Sequence, residues 1–287
     1  MLAVILGFAT SLVYGTADFF GAIASRKLKP TLVTGISAWA GLLFLASMLA
    51  TGIFQADFTP AAILWGVIGG VFSAFGLSMF YRALALGPIS ILSPLSALVA
   101  GIVPAIAGVF LGERFGWLAW LAIVLVLIAV FLVGFVPGQT VRLPTIQGTL
   151  FGIGAGVGIG VVLICLHNAP ASSGIATVIL VRLINGLVLG GYVIFQLAIG
   201  RVAAKTFAGL GPKLWLTMLA TGVFDSGANL LFVLAVRQGS LTVVSVLTAL
   251  YPLGTILLAR FVLKEKLALS QSIGIVLALG ATALLAF

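Results

Sequence analysis

Asp225 and Asn229 stand four residues apart inside the apolar stretch FDSGANLL. At that spacing they share one face of a helix, a turn apart. An ionisable group at the centre of a bilayer costs about 2.5–3.5 kcal/mol on insertion scales, so it persists facing protein or water, beside a partner. Asp225 and Asn229 therefore either look onto a solvated path or hydrogen-bond between helices and pin their packing. Arg182 and Asn185 form a second polar pair, three residues apart, in another apolar run. Asp225 is close enough in depth to be the counter-ion of Arg182. The guanidinium can instead fork onto a substrate carboxylate. Asp18 follows Tyr14 by one turn and either meets substrate or pairs with Arg26 or Lys27. Trp39, Trp65, Tyr81 and Tyr251 either stack an organic substrate or pack as ordinary aromatics. At Ser93-Pro94 and Tyr251-Pro252 the proline frees a carbonyl one turn earlier. Such carbonyls serve a polar cavity or mark a plain kink.

Other chemistry is poorly supplied. The single cysteine, Cys165, excludes an intramolecular disulfide and a Cys-rich metal site. The one histidine, His167, and Arg82 fall at the ends of apolar runs and read as interfacial. No metal and no cofactor is expected. GIGAGVGIG, Gly152 to Gly160, superficially evokes a phosphate loop, but the dinucleotide fingerprint needs a strand before it and a soluble helix after it. Gly152, Gly156 and Gly160 instead have the small-xxx-small spacing of close helix contacts.

These residues sit in a chain of 287 residues that is 62% hydrophobic and 7% charged. Soluble domains carry about 25% charged residues, so much of this surface must face lipid. The basic residues give a net charge of +9, but they lie in short clusters between apolar runs, the pattern of topology signals. Nucleic acid is not an expected partner; the lipid bilayer and a small-molecule substrate are. Ten stretches reach the roughly 20 residues a crossing helix needs: Leu2–Ala24, Leu32–Phe54, Ala61–Leu84, Ile89–Leu111, Trp117–Val136, Ile146–Leu166, Ile175–Ile199, Lys213–Ala235, Leu241–Leu263 and Leu267–Phe287. The first starts at Met1 without a basic leader and is expected to be retained. Membrane β-strands run about 10 residues with alternating polarity, which these runs do not show. The expected fold is an all-α membrane protein of ten transmembrane helices.

The chain repeats itself. A shift of 152 residues lays Gly70-Val71-Phe72 on Gly222-Val223-Phe224, Phe80, Ala83 and Gly87 on Phe232, Ala235 and Gly239, and Glu113-Arg114 on Glu265-Lys266. A shift of 145 lays Gly7, Gly15 and Gly41 on Gly152, Gly160 and Gly186. The halves, 1–137 and 146–287, each hold five helices. Five is odd, so the second half enters inverted, as in many secondary transporters. Under these shifts Asp225 falls on Ser73, Asn229 on Leu77, Arg182 on Ser37, Asn185 on Ala40 and Asp18 on Leu163. The charges are one-sided, so the scaffold does not require them. Of the 14 basic residues, Arg26, Lys27, Lys29, Arg82, Arg142, Arg201, Lys205, Lys213, Arg260, Lys264 and Lys266 lie at odd-numbered connections. Positive charge marks the inside, which places both termini outside.

LGERF and LKEKL, closing the fourth and ninth helices, resemble the EamA family of the drug/metabolite transporter superfamily. So do LVYGTADFFGAIASRK, SPLSALVAGIVPAIAGVFLGE and YPLGTILLARFVLKE. Tyr14-Gly15 stands where many relatives have Trp-Gly. The resemblance spans essentially the whole chain. It implies ten helices around a central cavity, no ATP-binding domain and movement of small metabolites or amino acids, often outward. The resulting expectation is a multi-pass carrier of the cytoplasmic membrane, monomeric or homodimeric, working by alternating access. Protons are the expected coupling ion, with Asp225 as the proton-linked carboxylate. An amino acid or related zwitterion suits the acids and Arg182. A passive channel, a structural membrane subunit and an intramembrane enzyme are the alternatives.

Overall fold

Backbone polar groups find no water inside a bilayer, so a crossing segment must satisfy them internally, as a helix does. The structure, a computed structural model, describes residues 1–86, 89–135, 144–200, 210–264 and 266–286. Gly87 and Glu265 of the repeat pairs, Arg142, Arg201 and Lys205 of the charge count, and the expected span ends Val136 and Phe287 lie outside the described residues. The helices are α1 Leu2–Ser25, α2 Pro30–Ala50, α3 Pro60–Leu86, α4 Ile89–Phe110, α5 Trp117–Gly134, α6 Ile146–Asn168, α7 Ala176–Ala198, α8 Pro212–Val236, α9 Leu241–Thr248, α10 Tyr251–Val262 and α11 Leu269–Ala286. They make ten stretches long and apolar enough to cross a membrane. The ninth, Leu241–Val262, is divided between α9 and α10. The only extended pairing among the described residues is an isolated bridge between Ala56 and Gly174.

Local chemistry explains the boundaries. Pro30 and Pro212 occupy the first turns of α2 and α8, where the missing N–H has no partner to lose. Thr145 and Ser240 cap α6 and α9, accepting from Gly148 N at 3.1 Å and Val243 N at 3.2 Å. Gly52 (φ +73°) and Gly200 (φ +69°) follow α2 and α7 in a left-handed conformation that favours glycine. The break between α9 and α10 precedes Pro252, which cannot donate to the Thr248 carbonyl. Pro94 and Pro104 leave α4 undivided. Pro94 seats against α5, where a Cβ on Gly134 would collide with its ring.

Packing follows the repeat. The principal contacts are α3 with α6 and α7, α1 with α8, α9 and α10, and α2 with α7 and α8. The rest are α4 with α6 and α9, and α5 with α11. Exchanging the two five-span halves leaves this set essentially unchanged. Each helix therefore packs mainly on the other half.

The two ends of the bundle differ. Even-numbered connections meet at one end. There Ile175 N donates to Gln55 O at 2.9 Å, and Arg237 Nη2 to Gly174 O at 2.8 Å. Glu113 accepts from the first N–H groups of α9, Leu241 N at 2.5 Å and Thr242 N at 3.0 Å. This far end also holds a buried apolar cluster that joins six helices. It includes Ala3, Leu45, Leu163, Leu166, Val178, Leu230, Val233 and Leu241. The opposite end, where the described residues Arg26, Lys27, Lys29, Arg82, Lys213 and Lys264 lie, is the basic end. A smaller cluster of Ala24, Leu28, Val33 and Met218 joins α1, α2 and α8 there. A third cluster binds α5 and α11 to α1, α4, α9 and α10.

Candidate functional site

Arg182 on α7 and Asp225 on α8 form an ion pair between Nη2 and Oδ2. Their helices pack only weakly on each other, so the long guanidinium side chain spans the space between them. The pair is unevenly covered: the Arg182 side chain is 8% exposed and that of Asp225 30%. One turn along α7, Asn185 Nδ2 donates to Ser73 Oγ on α3 at 2.5 Å. The stripe Arg182–Asn185 thus reaches α8 on one side and α3 on the other. Ser73 was not among the expected site residues, although it is the repeat mate of Asp225. Arg182 Nε and Asn185 Oδ1 are buried and have no hydrogen-bond partner among the described residues.

Asn229 turns back on its own helix. Its Nδ2 donates to the backbone carbonyl of Asp225 at 2.7 Å, and the residue is 3% exposed. It braces the backbone that carries the acid and, by this bond, makes no link to another helix.

Tyr14 and Asp18 approach from α1. Gly7 on the same stripe packs on Val244 and Leu247 of α9, and Ser11 is fully buried. The stripe faces the bundle interior. Yet Asp18 and Ala22, farther toward the basic end, are exposed. The stripe thus passes from packed at the far end to open toward the basic end. Tyr14 lies within electrostatic reach of Asp225, Arg182 and Asp18. Tyr81 on α3 feels Asp18 and Asp225, and Tyr251 on α10 feels Asp18. Thr34 on α2 and the Tyr81 hydroxyl share a hydrogen bond of 2.5 Å. No described residue gives Asp18 a hydrogen bond or an ion pair, and Arg26 and Lys27 do not reach it. α1 comes this close to α10 because Gly15 has no side chain. A Cβ there would collide with Tyr251 O and lie 2.6 Å from Gly254 Cα. Thr255 Oγ1 fastens the crossing by donating to Gly15 O at 3.0 Å.

Other expected residues fall elsewhere. Trp39 is 42% exposed and lies across Gly186 and Gly190 of α7, one turn from Leu43, which is 71% exposed. It packs on the outer surface, away from Asp18 and Asp225. Ser93 is partly buried before Pro94, and no described bond ties it to the cluster. Arg82 is exposed, with its guanidinium 5.8 Å from the Phe151 ring centroid. The glycines of α6 are spent on packing: Gly152, Gly156 and Gly160 face α4, while Gly154 and Gly158 face α3. Ser96 Oγ donates to Gly152 O at 2.9 Å across the first of these contacts.

Seven of the expected residues thus fall into one linked group that runs from the Arg182–Asp225 pair toward the basic end: Tyr14, Asp18, Tyr81, Arg182, Asn185, Asp225 and Tyr251. Chemically the site offers one neutralised ion pair, one unpaired carboxylate and three phenols. The profile of the EamA-like transporter family matches residues 1–135 and 146–287. Comparison with curated proteins returns no match. A solved structure, described only as "Crystal structure of protein", superimposes with a TM-score of 0.78 at 18% identity. The alignment covers 99% of this chain and 98% of the other. At that identity the likeness bears on the fold alone. With the family profile covering nearly its full length, the chain belongs to the EamA-like transporter family.

Proposed function

We propose that this chain is a secondary active transporter that moves a small organic metabolite across the cytoplasmic membrane by alternating access. One observation supports this most strongly. An interior polar cluster has open surface toward the basic end and is backed by an apolar plug at the far end. A passive channel would need a continuous polar path, which the plug of Leu163, Val178, Leu230 and Val233 interrupts. The repeat units 1–137 and 146–287 would rock about the central pair so that the plug parts as the basic end closes.

Positive charge marks the inside, so the basic end is cytoplasmic and both termini are outside. The passage then opens to the cytoplasm, which favours export. A substrate ammonium engages Asp18, and a substrate carboxylate competes with Asp225 for Arg182, as an amino acid or related zwitterion can. Asp225, once released, takes up the proton that couples transport. The test is proteoliposomes with an imposed pH gradient and a panel of radiolabelled amino acids and amines. Uphill accumulation that collapses with the gradient supports the reading. Downhill equilibration alone, or transport indifferent to the gradient in both wild type and Asp225→Asn, overturns coupled carriage.

A further inference from the structure

Superimposing the register of the two halves on the two ends of the bundle exposes a chemical difference between them. At the far end Leu163, Leu230 and Val233 are buried in the plug, and Ile179 packs against it. Their repeat mates at the basic end are Asp18, Ser78, Tyr81 and Thr34. Four apolar positions at one end are thus an acid and three hydroxyls at the other. Three of the four pairs also differ in cover: Asp18 is exposed and Ser78 and Tyr81 partly exposed, whereas their mates Leu163, Leu230 and Val233 are buried; Thr34 and Ile179 are both partly exposed. Thr34 and Tyr81 bond to each other at 2.5 Å, and Asp18 lies within electrostatic reach of Tyr81.

The charges do not balance. Arg182 answers Asp225, which leaves Asp18 as an acid inside the bundle with no bonded cation among the described residues. An acid that keeps open surface and has no bonded cation is available to the cationic group of a ligand. Hydroxyls at Thr34, Ser78 and Tyr81 can accept from an ammonium N–H, and the Tyr81 ring offers a face for cation–π contact.

We propose that Asp18, Thr34, Ser78 and Tyr81 form an entry subsite, separate from the Arg182–Asp225 pair, that selects solutes carrying a protonated amine. The inference rests on the reading of the bundle as a carrier only for the steps after capture. Recognition itself is tested by equilibrium binding.

The test is thermal unfolding of the detergent-purified full chain with phenethylammonium. Phenylpropionate, of similar shape and opposite charge, and sodium chloride at matched ionic strength are the controls. A ligand that binds the folded state raises the melting temperature. Phenethylammonium should raise it in a concentration-dependent way that depends on Asp18, whereas any shift with phenylpropionate should persist in Asp18→Asn. Asp18→Asn, near-isosteric and at a position whose mate is a leucine, should melt like wild type without ligand. It should bind the amine at least about tenfold more weakly. Asp18→Glu should restore binding to within about threefold. The proposal fails if phenethylammonium gives no more shift than sodium chloride, or if Asp18→Asn loses the phenylpropionate shift as well as the amine shift. It also fails if Asp18→Asn binds the amine as wild type does. Should the amine bind through Asp18 and yet never accumulate in proteoliposomes, the carrier reading fails and the subsite stands.

Discussion

The Arg182–Asp225 pair is coupled in a way single substitutions can expose. Removing one partner of a buried pair costs about 3–5 kcal/mol, because the other charge is left uncompensated, whereas removing both costs much less. The Asp225 side chain is 30% exposed and that of Arg182 8%, so loss of Arg182, which strands the better-solvated charge, should fall toward the low end of that range, and loss of Asp225 toward the high end. Arg182→Ala and Asp225→Ala should each melt below the double variant. A thermal-unfolding cycle with additive effects would show that the pair is not coupled. Asn229 makes a different prediction. Its bond returns to the Asp225 carbonyl, so Asn229→Leu, which copies its mate Leu77, should lower stability by about 1–2 kcal/mol. Ligand affinity should change by less than about threefold in the same titration. The types of these residues were plain in the sequence. Their directions were not, because an amide four residues from an acid can serve either its own helix or a neighbour.

Glycine governs how closely the helices pair. At Gly15 a Cβ would strike the Tyr251 carbonyl and the Gly254 backbone, whereas at Gly280 on α11 nothing lies within 4 Å. Gly15→Ala should therefore destabilise by about 1–3 kcal/mol as α1 and α10 move apart. Gly280→Ala should be neutral or stabilising, through helix propensity. Parallel melting curves of the two variants decide this; equal effects would mean that α1 and α10 do not approach so tightly. Glu113, from the LGERF motif, receives two N–H groups at the start of α9. A carboxylate there meets both orphan donors and the helix dipole. Glu113→Gln should cost about 1 kcal/mol in the same assay. The sequence placed Glu113 at the end of a span. It did not disclose that the side chain fastens another helix 128 positions on.

The whole bundle is closed at one end by apolar packing and lined with hydroxyls and an acid toward the other. That asymmetry predicts one-sided access. In a Cys165→Ala background, a cysteine at Ala22 should react with a membrane-impermeant maleimide from the basic side. A cysteine at Leu166, in the plug, should stay unlabelled from either side in the absence of substrate. Rapid labelling of Leu166→Cys from the far side would show the plug to be open. Exchange of the halves preserves the pattern of helix contacts, so the two ends share a helix arrangement, although the ninth span is divided where α4 is not.

The sequence alone determined the membrane class, the ten crossings, the repeat and the identity of the intramembrane charges. Those properties are local: span length follows from a run of apolar residues, and the cost of burying a charge follows from its type. Only the tertiary structure decided that Arg182 meets Asp225 and that Asn185 meets Ser73. It also decided that Trp39 lies on the outer surface and that Asp18 has no cation bonded to it among the described residues. Each of these depends on the rotation of a helix about its axis and on its neighbour. The neighbours come mainly from the other half of the chain, more than a hundred residues away in the case of Ser73 and Asn185. Near-uniform hydrophobicity around helices such as α3 and α6 leaves no apolar stripe from which such rotations could be read.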